Sequence, residues 1–103
     1  MAAAMLLALA GGSSAMAGQG AKKQVVVTIK NFAYHGKKIH VPKGTTVVWR
    51  IKDHAKHTAT RKGSFNTGKI KHNKAVGIKF THKGKYGYFC TIHPGMHGKV
   101  IVG

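Results

Sequence analysis

Short runs in which apolar and polar side chains alternate one for one, each closed by glycine or proline, most constrain what this chain can fold into. In "QVVVTIKNF", Val25, Val27 and Ile29 point one way and Thr28 and Lys30 the other. "TTVVWRIK" sets Thr45, Val47, Trp49 and Ile51 against Thr46, Val48, Arg50 and Lys52. "AVGIKF" repeats the pattern with Val76, Ile78 and Phe80, "GKYGYFC" puts Tyr86, Tyr88 and Cys90 on one side, and "GKVIVG" closes the chain. A period of two over so few residues is the mark of half-buried strands. The stretches between them, "YHGKK", "VPKGT", "RKGSFNTGK" and "THKGK", hold the Gly, Pro and Asn that turns demand. No segment after the first residues carries a helical stripe. The expected fold is all-β, a small antiparallel Greek-key β-sandwich. Its core takes Trp49, Phe32, Phe80, Tyr86 and Tyr88.

At 103 residues the chain holds one small domain. Its first residues differ in kind from the rest. Ala2 to Ala10 is apolar, small residues follow, and "AMA" at Ala15 to Ala17 has the pattern of a secretory cleavage site. Residues 1–17 therefore read as a signal peptide, without the usual basic residue ahead of the apolar stretch. Residues 18–23 read as a linker and residues 24–103 as the folded domain. A signal of this kind implies a periplasmic or secreted protein.

The chain has one cysteine, Cys90, within "YFCTIHPGMHG". A lone cysteine cannot close an internal disulfide, and by itself it reads as a small buried apolar group. Its neighbours change that reading. His93 and Met96 follow at intervals of three, in a loop stiffened and turned by Pro94 and Gly95. The three side chains can then converge on one ion, and a further ligand must come from elsewhere. "DHAKHTATR" offers His54 and His57. A thiolate, two imidazoles and a thioether make a soft, mixed donor set, matching a trigonal His₂Cys copper site with a weak axial Met. Zinc fits less well, since Met is not among its usual ligands.

These residues resemble the cupredoxins, the type 1 blue copper proteins, and the short C-x₂-H-x₂-M loop is most similar to the amicyanin type. "VTIKNFAY", "VPKGTTVVWRIKD", "KHTATRKGSFNTG" and "GKYGYFCTIHPGMHGKVIVG" resemble successive strands and turns of that fold, over nearly all of residues 24 to 103. The resemblance implies one copper ion, cycling between Cu(II) and Cu(I), held by His57, Cys90, His93 and Met96. It selects His57 over His54 because the family's upstream ligand precedes Thr or Asn. It also implies that His93 is the electron port, ringed by Pro94, Gly95 and Met96. The expected function is one-electron transfer between redox proteins. His35, His40, His72, His82 and His97 read as solvated turn residues.

Charge is the second large signal. Eighteen Lys and Arg face a single acid, Asp53, for a formal net charge of +17. So basic a surface is drawn to anions, which implies redox partners with acidic surfaces, or an anionic membrane surface, and a monomer in solution. A basic nucleic-acid-binding β-barrel is the distant rival, with Tyr86 and Tyr88 of "KGKYGYF" stacking on bases. It leaves Cys90, His93 and Met96 unexplained. Copper carriage or storage on the same fold is the nearer rival. Catalysis is not expected: a four-ligand site has no open position, and a chain with one acid has no carboxylate pair.

Overall fold

The computed structural model describes residues 23–103. The leader and linker expected over 1–23 lie outside the described residues, except for Lys23. Nine strands are described: β1 (Gln24–Lys30), β2 (Ala33–His35), β3 (Lys38–Val41), β4 (Thr45–Ile51), β5 (Thr60–Arg61), β6 (Phe65–Asn66), β7 (Ala75–Phe80), β8 (Gly84–Phe89) and β9 (His97–Val102). They form two sheets, one ordered β2-β1-β4-β7 and the other β3-β9-β8-β5-β6. The all-β sandwich is as the alternation predicts.

Each sheet also contains one parallel pair, β1 with β4 and β3 with β9. Period-two patterning is the same for parallel and antiparallel neighbours, so it cannot announce this. The registers keep the apolar faces together. Val27 lies beside Trp49 in the parallel pair, and Trp49 beside Val76 in the antiparallel pair with β7. In the second sheet Val100 pairs with Tyr86 on one side and Ile39 on the other.

Trp49 ties the two sheets. It is fully buried. Its ring lies nearly parallel to Phe65 at 5.8 Å and edge-on to Tyr88 at 5.2 Å, both from the opposite sheet. Val27, Ile29, Val47, Ile51 and Val100 are also buried around it. Each such side chain contributes about 1.5–3 kcal/mol of gross burial free energy, and none of that burial involves a bound ion. Gly98 stands opposite Tyr88 across β8 and β9. A Cβ there would run into the Tyr88 ring and hydroxyl, which is why a glycine occupies that strand position.

Two readings of the core are corrected. Phe32 is 51% exposed. Asn31 and Phe32 both take left-handed backbone, at φ 54° and 57°, and this corner breaks the alternation between β1 and β2. Tyr34 is turned inward and Phe32 outward. Tyr86 is only half-buried, against the edge of Phe80. Three of the histidines read as turn residues, His35, His40 and His97, are exposed but lie in strands. Tyr88, at 3% exposure, is not available to stack on a base, which removes the feature that carried the nucleic-acid reading.

Candidate metal centre

The donors gather at one end of the sandwich. Cys90 follows directly on β8, and residues 91–96 fold back to start β9. Two backbone bonds close that loop: Met96 N–H donates to the His93 carbonyl at 2.9 Å, and Cys90 N–H donates to the Met96 carbonyl at 3.1 Å. Pro94 and Gly95 lie at its exposed tip. His57 comes from the long connection between β4 and β5. A two-way backbone bridge to Ile70 pins it, with His57 N–H to Ile70 O at 3.1 Å and the reverse at 2.7 Å.

His57, Cys90 and His93 bring one ligating atom each to within 4.8 Å of one another. Cys90 Sγ lies 3.9 Å from His57 Nδ1 and 3.7 Å from His93 Nδ1. Imidazole and thiolate bonds to a first-row ion run about 2.0 Å and 2.3 Å, and at a trigonal angle they span an N–S edge of about 3.7 Å. The side chains thus stand close to the spacing that a shared ion requires. His57 and Cys90 are fully buried, Met96 is 5% exposed, and His93 is half-buried. Met96 therefore lies beneath the surface instead of in the exposed ring. Beside Pro94 and Gly95, that ring takes in Ile92 and Phe32.

Hydrogen bonds fix the surroundings. Thr58 N–H donates to Cys90 Sγ at 3.4 Å, which fixes the sulfur in place. The Thr58 hydroxyl accepts from Thr91 N–H at 3.0 Å and also contacts the Thr60 and Thr91 hydroxyls. These bonds stitch the connection that carries His57 to the one that carries Cys90 and His93. Tyr34 donates its hydroxyl proton to the Thr58 carbonyl. Burial, with Cys90 nearby, pushes the Tyr34 phenol well above its ordinary range, so it stays a donor.

Sequence reasoning missed two neighbours. Asp53 Oδ2 lies 2.9 Å from His57 Nε2. The exposed Phe32 ring is edge-on to His57 at 5.2 Å and to His93 at 4.7 Å. The i, i+4 spacing of Asp53 and His57 was a visible signal for the first. Nothing local pointed to the second. His54 stands apart from the cluster, exposed and stacked on His72 at 4.1 Å.

Burial lowers the pKa of His57 below its ordinary 6.5; Asp53 opposes this and His93 adds to it. Burial raises the Asp53 carboxyl, but the Phe32 and Asn31 amides and His57 outweigh that and bring it below 3.8. Both shifts give the same sign. As pH falls below 6.5 the unfolded chain takes a proton at His57 before the folded one does, so stability is lost on acidification. Below 3.8 the Asp53 contribution goes as well. The urea midpoint of the metal-free protein should drop between about pH 7 and about pH 5. The drop should be smaller in His57→Gln, which has no ring to titrate there. An equal drop in both proteins would place the effect elsewhere.

The surroundings of this cluster have counterparts in known proteins. A family model described as a cupredoxin-like domain matches residues 1–102. The chain is 34% identical over 88 residues to the amicyanin of Paracoccus denitrificans and 37% identical over 84 residues to that of Paracoccus versutus. Each match takes in 76% of this chain and 64% of the relative, so the chain spans under two thirds of the length of these curated relatives. The crystal structure of amicyanin from Paracoccus versutus superposes with a TM-score of 0.70 at 35% identity, covering 77% of this chain and 80% of that one. The Cu(I) form of a methionine-to-alanine mutant of amicyanin superposes with a TM-score of 0.76 at 32% identity, covering 82% and 87%. With a family match running through nearly the whole sequence and the same sandwich built around it, this chain belongs to the cupredoxin-like proteins.

Proposed function

We propose that this chain binds one copper ion through His57, Cys90, His93 and Met96 and serves as a one-electron carrier between redox proteins. The observation that carries the reading is the convergence of the buried Cys90 sulfur with one nitrogen from each of two imidazoles, at 3.7 and 3.9 Å. Met96, buried in the same loop, completes a soft donor set of the kind that selects copper over zinc. When bound, copper supplies a reversible one-electron couple.

The protein's share is positional. Strands β8 and β9 and the bridge at Ile70 hold the donors on fixed backbone, so little has to move when charge changes. The Thr58 amide donates to the Cys90 sulfur and orients it. His57 is sealed from solvent. His93 is half-buried beside the exposed Phe32, Ile92, Pro94 and Gly95, and it offers the short route between the site and a docked partner. An apolar rim at that point lets a partner approach closely without stripping water from charges. We read the chain as a carrier and not an enzyme, because four side-chain donors leave no position for a substrate. The excess of Lys and Arg supports redox partners with acidic surfaces. Residues 1–17 support a secretory leader and a periplasmic or secreted location.

The test is addition of copper(II) to the purified metal-free protein. An intense visible absorption from sulfur-to-copper charge transfer, saturating at one equivalent, is expected. Rapid electron exchange with a second redox protein should follow. Saturable colour with no measurable exchange would favour copper storage, and no colour would overturn the assignment.

A further inference from the structure

The chain's single carboxylate sits at a junction that holding a metal does not by itself require. Asp53 lies in the bend after β4, and three groups converge on it. The Asn31 amide donates to Oδ1 at 2.7 Å, and the Phe32 amide to Oδ2 at 2.9 Å. His57 meets Oδ2 through Nε2 at 2.9 Å. A carboxylate can only accept, so the His57 ring proton is on Nε2. The Nδ1 lone pair is then left on the side of Cys90, 3.9 Å from Sγ.

The two amides belong to consecutive residues with left-handed backbone, φ 54° and 57°. Successive N–H groups in such a turn form an anion-holding nest. For a side chain as bulky as Phe32 this backbone is unfavourable, and it persists only where the surroundings hold it. Here the two-residue hairpin that pairs Lys30 with Ala33 calls for it, and the carboxylate that also holds His57 caps its two amides. The Phe32 ring lies across the imidazoles of both His57 and His93, yet is 51% exposed. A large apolar side chain is thereby kept on the solvent side of the donor cluster.

We propose that Asp53 is a positioning residue that couples the ring tautomer of His57 to the 31–32 turn, and that the turn holds Phe32 as an aromatic shield over both imidazoles. The shield limits the access of water and small chelating molecules to the site. The clamp stands on the geometry alone; what it shields rests on the copper reading above.

Long-range nitrogen–proton NMR on the metal-free full chain reads the tautomer directly. The expected result is a slowly exchanging proton on His57 Nε2. In Asp53→Asn, the amide NH₂ cannot accept, so either the turn or His57 loses its acceptor. The ring should shift toward the Nδ1-protonated form, and copper(II) affinity should fall about 10- to 100-fold. Asp53→Glu keeps a carboxylate and should restore the Nε2 proton. Phe32→Gly suits the left-handed backbone. It should keep the tautomer while EDTA strips copper from it several-fold faster.

An unchanged tautomer and unchanged copper affinity in Asp53→Asn would overturn the clamp, leaving Asp53 as a turn cap only. An unchanged stripping rate in Phe32→Gly would overturn the shield. If Asp53→Asn does not fold, the wild type still decides, since a proton on Nδ1 of its His57 overturns the clamp whatever metal binds. A wild type with the Nε2 proton that takes up no copper supports the clamp and overturns the copper reading instead.

Discussion

Cys90→Ser should fold and should give no intense visible band with copper(II). The band needs a sulfur donor, and a serine hydroxyl at the same buried place offers a hard oxygen that stays protonated near neutral pH. The fold should survive because its stability comes from the core around Trp49 and not from the ion. A metal-free transition that remains cooperative is the check on that point. His57→Ala should weaken or shift the band, since it removes one nitrogen from the trigonal edge with Cys90 and leaves Asp53 and the 31–32 turn without their ring. His54→Ala should leave the band nearly intact. Its ring is exposed and stacked on His72 at 4.1 Å, outside the group formed by His57, Cys90 and His93. Loss of the band in His54→Ala with retention in His57→Ala would reverse the assignment of the upstream ligand.

How much of this was legible in the sequence depends on the range of the interactions. The strands were legible because alternation is a local pattern, and Val27, Trp49 and Phe80 fall where it puts them. The loop from Cys90 to Met96 was legible because its donors are close in sequence and a Pro-Gly pair turns them. The parallel pairing of β1 with β4 was not, since the side-chain period carries no strand direction. Phe32 shows the limit most clearly. It stands two residues before the buried Tyr34, so alternation places both on one face. The left-handed backbone at Asn31 and Phe32 reverses that. That backbone is what a two-residue hairpin loop between the paired Lys30 and Ala33 requires, and it is capped by a carboxylate 21 and 22 residues further along. No window over the turn contains it. Asp53 itself read as an isolated acid in a basic chain. Its role depends on amides that become neighbours only once β1 and β4 have paired.

With an acidic redox partner, the second-order rate of electron transfer should fall by at least about tenfold as ionic strength rises from low to high. The argument rests on where the charge lies. Every Lys and Arg among the described residues is exposed, whereas the one acid is largely enclosed, with 12% of its side chain exposed and His57 and two amides upon it. One such charge against eighteen does little to offset the field seen by an approaching protein. That field reaches about 10 Å at 0.1 M salt and about 3 Å at 1 M, so attraction guides encounter at low salt and fades at high salt. The rim at His93 acts at a shorter range. Residues 91–96 contain no charged side chain other than a protonated form of His93 itself, so contact there is apolar and insensitive to salt. Steering and docking thus separate experimentally. Replacing exposed Lys residues remote from the rim with Gln should lower the rate at low salt and flatten the salt curve, with little change at high salt. With a basic partner the slope should reverse, since screening then relieves repulsion. Equal rates for both partners across the whole salt series would mean that the positive surface serves something other than electron transfer.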